Sequence, residues 1–159
     1  MKTGKFFKIL TLASVATLFL AAGLIASTCP DIIPMEDPAY DSHKKGIVQF
    51  THGKHYKDHA IACGECHHDA EGKPLAGLKE GDAVQKCIEC HKIAGEMPRE
   101  VKQEIKGLSR EEKQKKELEY HAEALHMNCR DCHKAYNKEK GFRGKDGAPT
   151  SCTACHPKD

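Results

Sequence analysis

Residues 63–68 read Cys63-Gly-Glu-Cys66-His67-His68, and the first five form a C-x-x-C-H motif that occurs four times in the chain. The other copies are Cys87-Ile-Glu-Cys90-His91, Cys129-Arg-Asp-Cys132-His133 and Cys152-Thr-Ala-Cys155-His156. At the Cys and His frequencies of this chain, about 0.03 such pentads would arise by chance. The four copies use eight of the nine cysteines, so this motif organises most of the chain.

The spacing within the motif is that of covalent c-type haem attachment. Two thiols three positions apart can reach the two vinyl groups on one edge of a porphyrin, and the following His can place a ring nitrogen on the iron. Disulfides in an exported chain or zinc sites built from paired C-x-x-C motifs are alternatives, but neither explains a His after every second Cys. We therefore predict four covalently bound haem c groups. The predicted attachment cysteines are Cys63, Cys66, Cys87, Cys90, Cys129, Cys132, Cys152 and Cys155, and the predicted proximal iron ligands are His67, His91, His133 and His156.

The composition agrees with a core that is not made of side chains. Residues 43–159 contain 15 Leu, Ile, Val and Phe among 117 residues, and the whole chain has no Trp. These four residue types thus make up about 13% of this segment, below the roughly 20% under which a chain usually stays disordered. Disordered chains also tend to carry a large net charge, whereas residues 31–159 hold 22 Lys and Arg against 23 Asp and Glu. The balance disfavours both disorder and nucleic-acid binding.

The N-terminus has the pattern of an export signal. Lys2, Lys5 and Lys8 precede an uncharged stretch that includes the apolar run ILTLASVATLFLAAGLIA. We predict a cleaved signal over residues 1–28, with a retained membrane anchor and a lipoprotein as alternatives. Cys29 is the ninth cysteine, and its simplest interpretation is a residue close to the cleavage site with no role. All three alternatives place the rest of the chain outside the cytoplasm, most simply in a bacterial periplasm.

Seven histidines remain after the four proximal ligands are assigned. They are His43, His52, His55, His59, His68, His121 and His126. If each iron takes a second His, four of the seven are distal ligands. His52 and His55 follow a short extended segment and, three residues apart, share a face of a turn, so they can point to two different haems. His68 follows His67 directly, and its side chain should diverge toward a neighbouring haem.

The elements FTHGKH over residues 50–55 and CGECHH over 63–68, followed by three more C-x-x-C-H motifs, resemble the tetrahaem class III cytochromes c. The resemblance to this family, the cytochromes c3 of sulfate respiration, covers about residues 46–157. It implies that His52, His68 and His55 are the distal ligands of the first, second and third haems, numbered by motif. It also implies that Phe50 stacks between the first and third haems.

The fourth distal ligand precedes the third motif in AEALHMNC, residues 122–129. A His this close to Cys129 cannot easily reach the haem of its own motif, so we assign His126 to the fourth haem, with His121 as the alternative. We then expect His43, His59 and His121 to be surface histidines.

The chain also departs from the best-known members of the family. All four motifs have two intervening residues, and a charged insert at about residues 95–120 separates the second and third motifs. The segment after the signal is slightly acidic rather than lysine-rich. The insert and the acidity resemble the acidic type II branch, which is associated with membrane redox complexes.

These observations predict a small, mostly helical and irregular multihaem cytochrome fold in which the haem cluster replaces the hydrophobic core. Little β-structure is expected beyond a short N-terminal strand or hairpin. Residues 29–45 should be a loose arm and residues 46–159 the tetrahaem domain. In the insert, Pro98 opens one helix, and Ser109 with Glu112 forms a capping box for a second, after which Leu118, Ala122 and Leu125 make one apolar stripe. Residues 134–149 should be a Gly- and Lys-rich loop.

The expected function is outer-sphere electron transfer, because eight histidines on four irons leave no open coordination position. The protein should be an electron carrier rather than an enzyme, passing low-potential electrons between hydrogenase or other donors and another cytochrome or a membrane redox complex. It should meet a membrane only through a retained N-terminal segment or a partner. Five basic residues, Lys134, Lys138, Lys140, Arg143 and Lys145, form a candidate docking surface near the fourth motif. A membrane-anchored tetrahaem quinol dehydrogenase and a haem or metal reductase are the alternatives.

Overall fold

A computed structural model describes residues 29–157, so the predicted signal over residues 1–28 lies outside the described residues. The chain there forms two short strands and six helices, joined by loops and single helical turns. The strands are β1 (Ile33–Pro34) and β2 (Gln49–Phe50), and the helices are α1 (Cys87–Cys90), α2 (Arg99–Glu104), α3 (Arg110–Glu117), α4 (His121–His126), α5 (Cys132–Lys140) and α6 (Cys152–Cys155). Single 3-10 or π turns lie at Lys54–Asp58, Cys63–Glu65, Ile105–Gly107, Met127–Asp131 and Gly144–Asp146.

The two strands pair antiparallel and attach the N-terminal arm to the rest of the described chain. Ile33 lies opposite Phe50 and Pro34 opposite Gln49. The Met35 N–H extends the pairing by donating to the Val48 carbonyl at 2.9 Å. Proline has no N–H to donate, and it is tolerated here because each strand of a two-stranded ribbon is an edge. The arm at residues 29–45, expected to be loose, thus makes defined backbone contacts with the segment that leads to His52.

The insert is helical where the capping signal predicts it. Ser109 is the N-cap of α3, its hydroxyl accepts from the Glu112 N–H, and the Glu112 carboxylate accepts from the Ser109 N–H at 2.9 Å. The prediction of one continuous apolar stripe through Leu118 is wrong, because α3 ends at Glu117 and α4 begins at His121. Between them the Ile93 N–H donates to the Glu119 carbonyl, and the Ile93 carbonyl accepts from the His121 N–H. Because the Glu119 carbonyl and the His121 N–H bond to Ile93, they do not take part in a helix that would join α3 to α4.

The loop predicted for residues 134–149 is also wrong in its first half. Helix α5 continues through Lys140, and Gly141 ends it in the left-handed region at φ 69°. A glycine adopts this conformation without the Cβ clash that other residues suffer, and it is the common residue just after a helix. The Gly141 therefore marks a helix end rather than the interior of a loop.

Few side chains are buried in the described part of the chain. The buried hydrophobic residues are Met97, Ile105 and Ala124, and no side chain is less than 2% exposed. The expected small, mostly helical and irregular fold with a two-strand ribbon is confirmed. No helix within residues 29–157 combines the length and the apolar character that crossing a membrane requires.

Candidate functional site

Each C-x-x-C-H motif lies on a helical turn. The N–H of the motif His donates to the carbonyl of the first Cys in the first, second and fourth motifs, at 2.9, 2.9 and 2.8 Å. The third motif spans the Met127–Asp131 turn and the start of α5. Residues three and four positions apart are neighbours on such a turn. The two thiols and the imidazole of each motif are therefore grouped together by local backbone geometry.

All nine cysteines are free thiols in the structure. Within residues 29–157, no three His, Cys, Asp or Glu side chains are grouped to hold a metal ion. Burial raises the pKa of the Cys129 thiol to about 11 and shifts that of Cys66 and Cys87 in the same direction. Burial thus favours the protonated form of these three thiols.

Four pairs of histidine rings meet across segments that are distant in the chain. In each pair, one His belongs to a C-x-x-C-H motif and the other lies outside the four motifs. The pairs, with their centroid separations, are His52 and His67 at 6.4 Å, His68 and His91 at 6.0 Å, His55 and His133 at 6.0 Å, and His126 and His156 at 6.4 Å. They are the pairs that the resemblance and the position of His126 imply.

These separations fit one metal ion between two imidazoles. Metal–imidazole bonds of about 2 Å, with each ring centroid about 1 Å beyond its nitrogen, set two coaxial rings roughly 6 Å apart. The ring of His59 also lies 6.4 Å from that of His55, but these residues are four positions apart and adjoin on one turn. The donor set therefore fits four six-coordinate haem irons with two imidazoles each.

Backbone carbonyls orient most of the paired imidazoles. The Nδ1–H of six of the eight rings donates to a carbonyl, which leaves Nε2 free to bind a metal. The acceptors are Pro30 for His52, Thr51 for His55, Asp69 for His68, Leu118 for His91, Pro149 for His133 and Gly46 for His156. Such outer bonds fix the tautomer of a metal-bound His and raise the basicity of its ligating nitrogen.

The other two rings, His67 and His126, make no Nδ1 bond to residues 29–157. Burial lowers the pKa of both imidazoles, and neighbouring histidine charge adds to the shift at His67. A neutral imidazole keeps the lone pair that a metal needs. Desolvation therefore favours the neutral form of these two rings, which have no carbonyl partner among residues 29–157.

Aromatic rings surround the two histidines of the FTHGKH segment. The Phe50 ring lies 5.6 Å from that of His52 and 4.8 Å from that of His55. Tyr56 packs 5.2 Å from His52 on the following turn. Phe50 thus contacts the predicted distal ligands of the first and third haems, and its stacking between those haems stays a prediction.

Two of the three histidines expected at the surface are exposed there, namely His43 and His59. The expectation for His121 is wrong, because it is 6% exposed. Its Nδ1 lies 2.9 Å from the Tyr40 hydroxyl in a hydrogen bond, and burial lowers its pKa. Tyr40 comes from the N-terminal arm, and nothing in the sequence pairs it with His121.

The candidate docking surface begins on helix α5. Lys134 pairs with Asp131 at 3.0 Å and Lys140 with Glu139 at 2.9 Å. Lys138 and Arg143 make no ion pair within the described chain. Tyr136 and Phe142, close to them in sequence, have exposed rings that meet at 6.0 Å. The surface therefore combines unpaired positive charge with exposed aromatic area.

Similarity to known proteins is found at the level of a family. The model of the class III cytochrome C family matches residues 30–156. No curated protein and no solved structure matches the chain. The matched range contains all four motifs and all eight paired histidines.

Proposed function

The chain belongs to the class III cytochrome c family, whose members carry covalently bound haem c and transfer electrons, and we propose that it is a tetrahaem carrier in which every iron has two histidine ligands. The four histidine pairs support this assignment most directly, because all four separations suit an iron between the rings. The eight motif cysteines attach the haems. His52, His68, His55 and His126 are the distal ligands of the first to fourth haems.

Haem c supplies one-electron chemistry at its iron. With one imidazole of each pair on either side of an iron, a substrate would have no site on the metal, and the haem would supply electron transfer only. Two strong nitrogen donors favour low potentials within the wide range that axial ligands can set. This arrangement supports a carrier over a reductase or a quinol-oxidising enzyme.

The proposed location is the periplasm, and the proposed partners are redox proteins such as hydrogenase, another cytochrome or a membrane redox complex. The basic start of the chain and its apolar run support export. Lys138 and Arg143, which lack acidic partners among the described residues, support a docking surface for an acidic patch on a partner. Such docking is transient and steered by charge.

Intact-mass spectrometry of the exported protein tests the haem count and locates the N-terminus in one measurement. The expected mass is that of the processed chain with four haems. A smaller number of haems contradicts the assignment. Carbon monoxide added to the reduced protein should cause no spectral change, and binding to any iron would show an open position and favour an enzyme.

A further inference from the structure

Residues 29–35, which we call the N-terminal strap, run alongside the segment that carries His52. The Pro30 carbonyl accepts from His52 Nδ1 at 3.2 Å. One residue later the Asp31 carbonyl accepts from the Gly53 N–H at 2.9 Å. Pairing of Ile33 with Phe50 continues the contact. The strap therefore binds the His52 ring through the Pro30 carbonyl and pairs with the backbone before and after His52, at Phe50 and Gly53.

The side chain of Asp31 holds the strap in place. Its carboxylate lies 2.6 Å from Lys57 Nζ and accepts from the Tyr56 hydroxyl at 3.5 Å. Gly53 allows this close approach, because a Cβ added there would lie 2.3 Å from Asp31 Oδ1. The ion pair thus joins the strap to the turn that directly follows His52.

We propose that the N-terminal strap positions His52 on the iron of the first haem and lowers the potential of that haem. The inference rests on the proposed function, because it takes His52 as an iron ligand. A carbonyl acceptor at Nδ1 makes Nε2 a stronger donor, and a stronger donor stabilises ferric iron relative to ferrous iron. The opposite ligand, His67, makes no such bond to residues 29–157. Within the described chain, the strap therefore supplies the carbonyl support for this histidine pair.

The test removes the ion pair between Asp31 and Lys57 without changing the net charge. Asp31→Asn combined with Lys57→Gln removes the ion pair and leaves the charge sum near the first haem unchanged. The charge-swapped protein, with Asp31→Lys and Lys57→Asp, is the matched control because it can re-form the ion pair. Haem-resolved NMR during a redox titration reports each potential. Solvent exchange of the His52 Nδ1–H, in protein labelled with ¹⁵N-histidine, reports whether the hydrogen bond to the Pro30 carbonyl is formed.

In the neutral double variant we expect the first haem's potential to rise while the other three stay in place. We also expect His52 Nδ1–H exchange to become up to about fivefold faster, the most that loss of an exposed ion pair supports. The charge-swapped protein should stay close to wild type in both measurements. An unchanged first-haem potential in the double variant, or equal shifts in both variants, overturns the role of the strap.

The two proposals can fail separately. A wild-type protein without haem, or one whose first haem lacks the His52 ligand, contradicts the proposed function. A wild-type protein with four haems and bound His52, whose double variant shows no shift, contradicts the strap alone.

Discussion

The histidines show what sequence spacing can and cannot predict at the scale of a residue. The motif histidines are predicted from the C-x-x-C-H spacing, and His52, His55 and His68 stand at positions specific to the family pattern. The sequence decides less firmly which of His121 and His126 is the fourth distal ligand, because both precede the third motif. The structure places His126 opposite His156 and His121 against Tyr40. Tyr40 is 81 positions from His121, and no local pattern predicts such a contact.

Replacing His126 should expose one iron, whereas replacing His121 should not. In His126→Ala we expect one of the four haems to become high-spin in the ferrous state and to bind carbon monoxide, one molecule per protein. His121→Ala is the matched control and should leave all four haems low-spin, because its partner is the Tyr40 hydroxyl. Visible spectra and a carbon monoxide titration measure both variants. A carbon monoxide-binding haem in His121→Ala, with none in His126→Ala, would reverse the assignment.

At the scale of the elements, the insert between the second and third motifs holds the ring of His91, a predicted iron ligand. Leu118, just after α3, provides the carbonyl that accepts from His91 Nδ1. Lys102 on α2 pairs with Glu123 on α4 at 2.6 Å, which ties the insert to the helix that carries His126. The capping box predicted the start of α3 because it is a local signal. The break before α4 was not predictable, because it depends on pairing with Ile93.

Removing the α3 cap should loosen the insert without releasing a haem. Ser109→Ala deletes the hydroxyl that accepts from the Glu112 N–H, and the loss of such a cap costs about 1 kcal/mol. We expect amide hydrogen exchange in the first turn of α3 to become roughly fivefold faster, with no change in haem content. Ser151→Ala is the control, because Ser151 is the N-cap of α6 and its side chain makes no cap bond. Equal effects of the two variants would contradict the cap.

At the scale of the whole molecule, we expect charge to affect both the docking of partners and the haem potentials. Reversing Lys138, Lys140 and Lys145 to Glu should slow reduction by the physiological donor at low ionic strength, because steering depends on charge complementarity. The difference from wild type should shrink as salt is added, since salt screens exposed charges. Stopped-flow kinetics measure the rate. Reversing Lys106, Lys113 and Lys115 in the insert changes the net charge equally, and an equal loss of rate there would contradict a local docking surface.

Electrons added to four neighbouring haems should bring protons with them. With two ionised propionates per haem, the net charge of residues 31–159 and their haems is about −5 when oxidised and about −9 when reduced. Negative charge opposes ionisation, so reduction raises the pKa of nearby propionates and favours proton uptake. Because the reduced protein then binds more protons, raising the pH disfavours it.

The expected result is that the potentials fall as the pH rises from about 6 to about 8, the interval in which the raised propionate pKa values matter. Spectroelectrochemical titrations at constant ionic strength measure this dependence. Added salt should flatten it only in part, because charges close together within the protein are screened less than exposed ones. Potentials that stay constant over this interval would show that the propionates do not exchange protons with solvent during reduction, and electron transfer by this protein would then be uncoupled from protons.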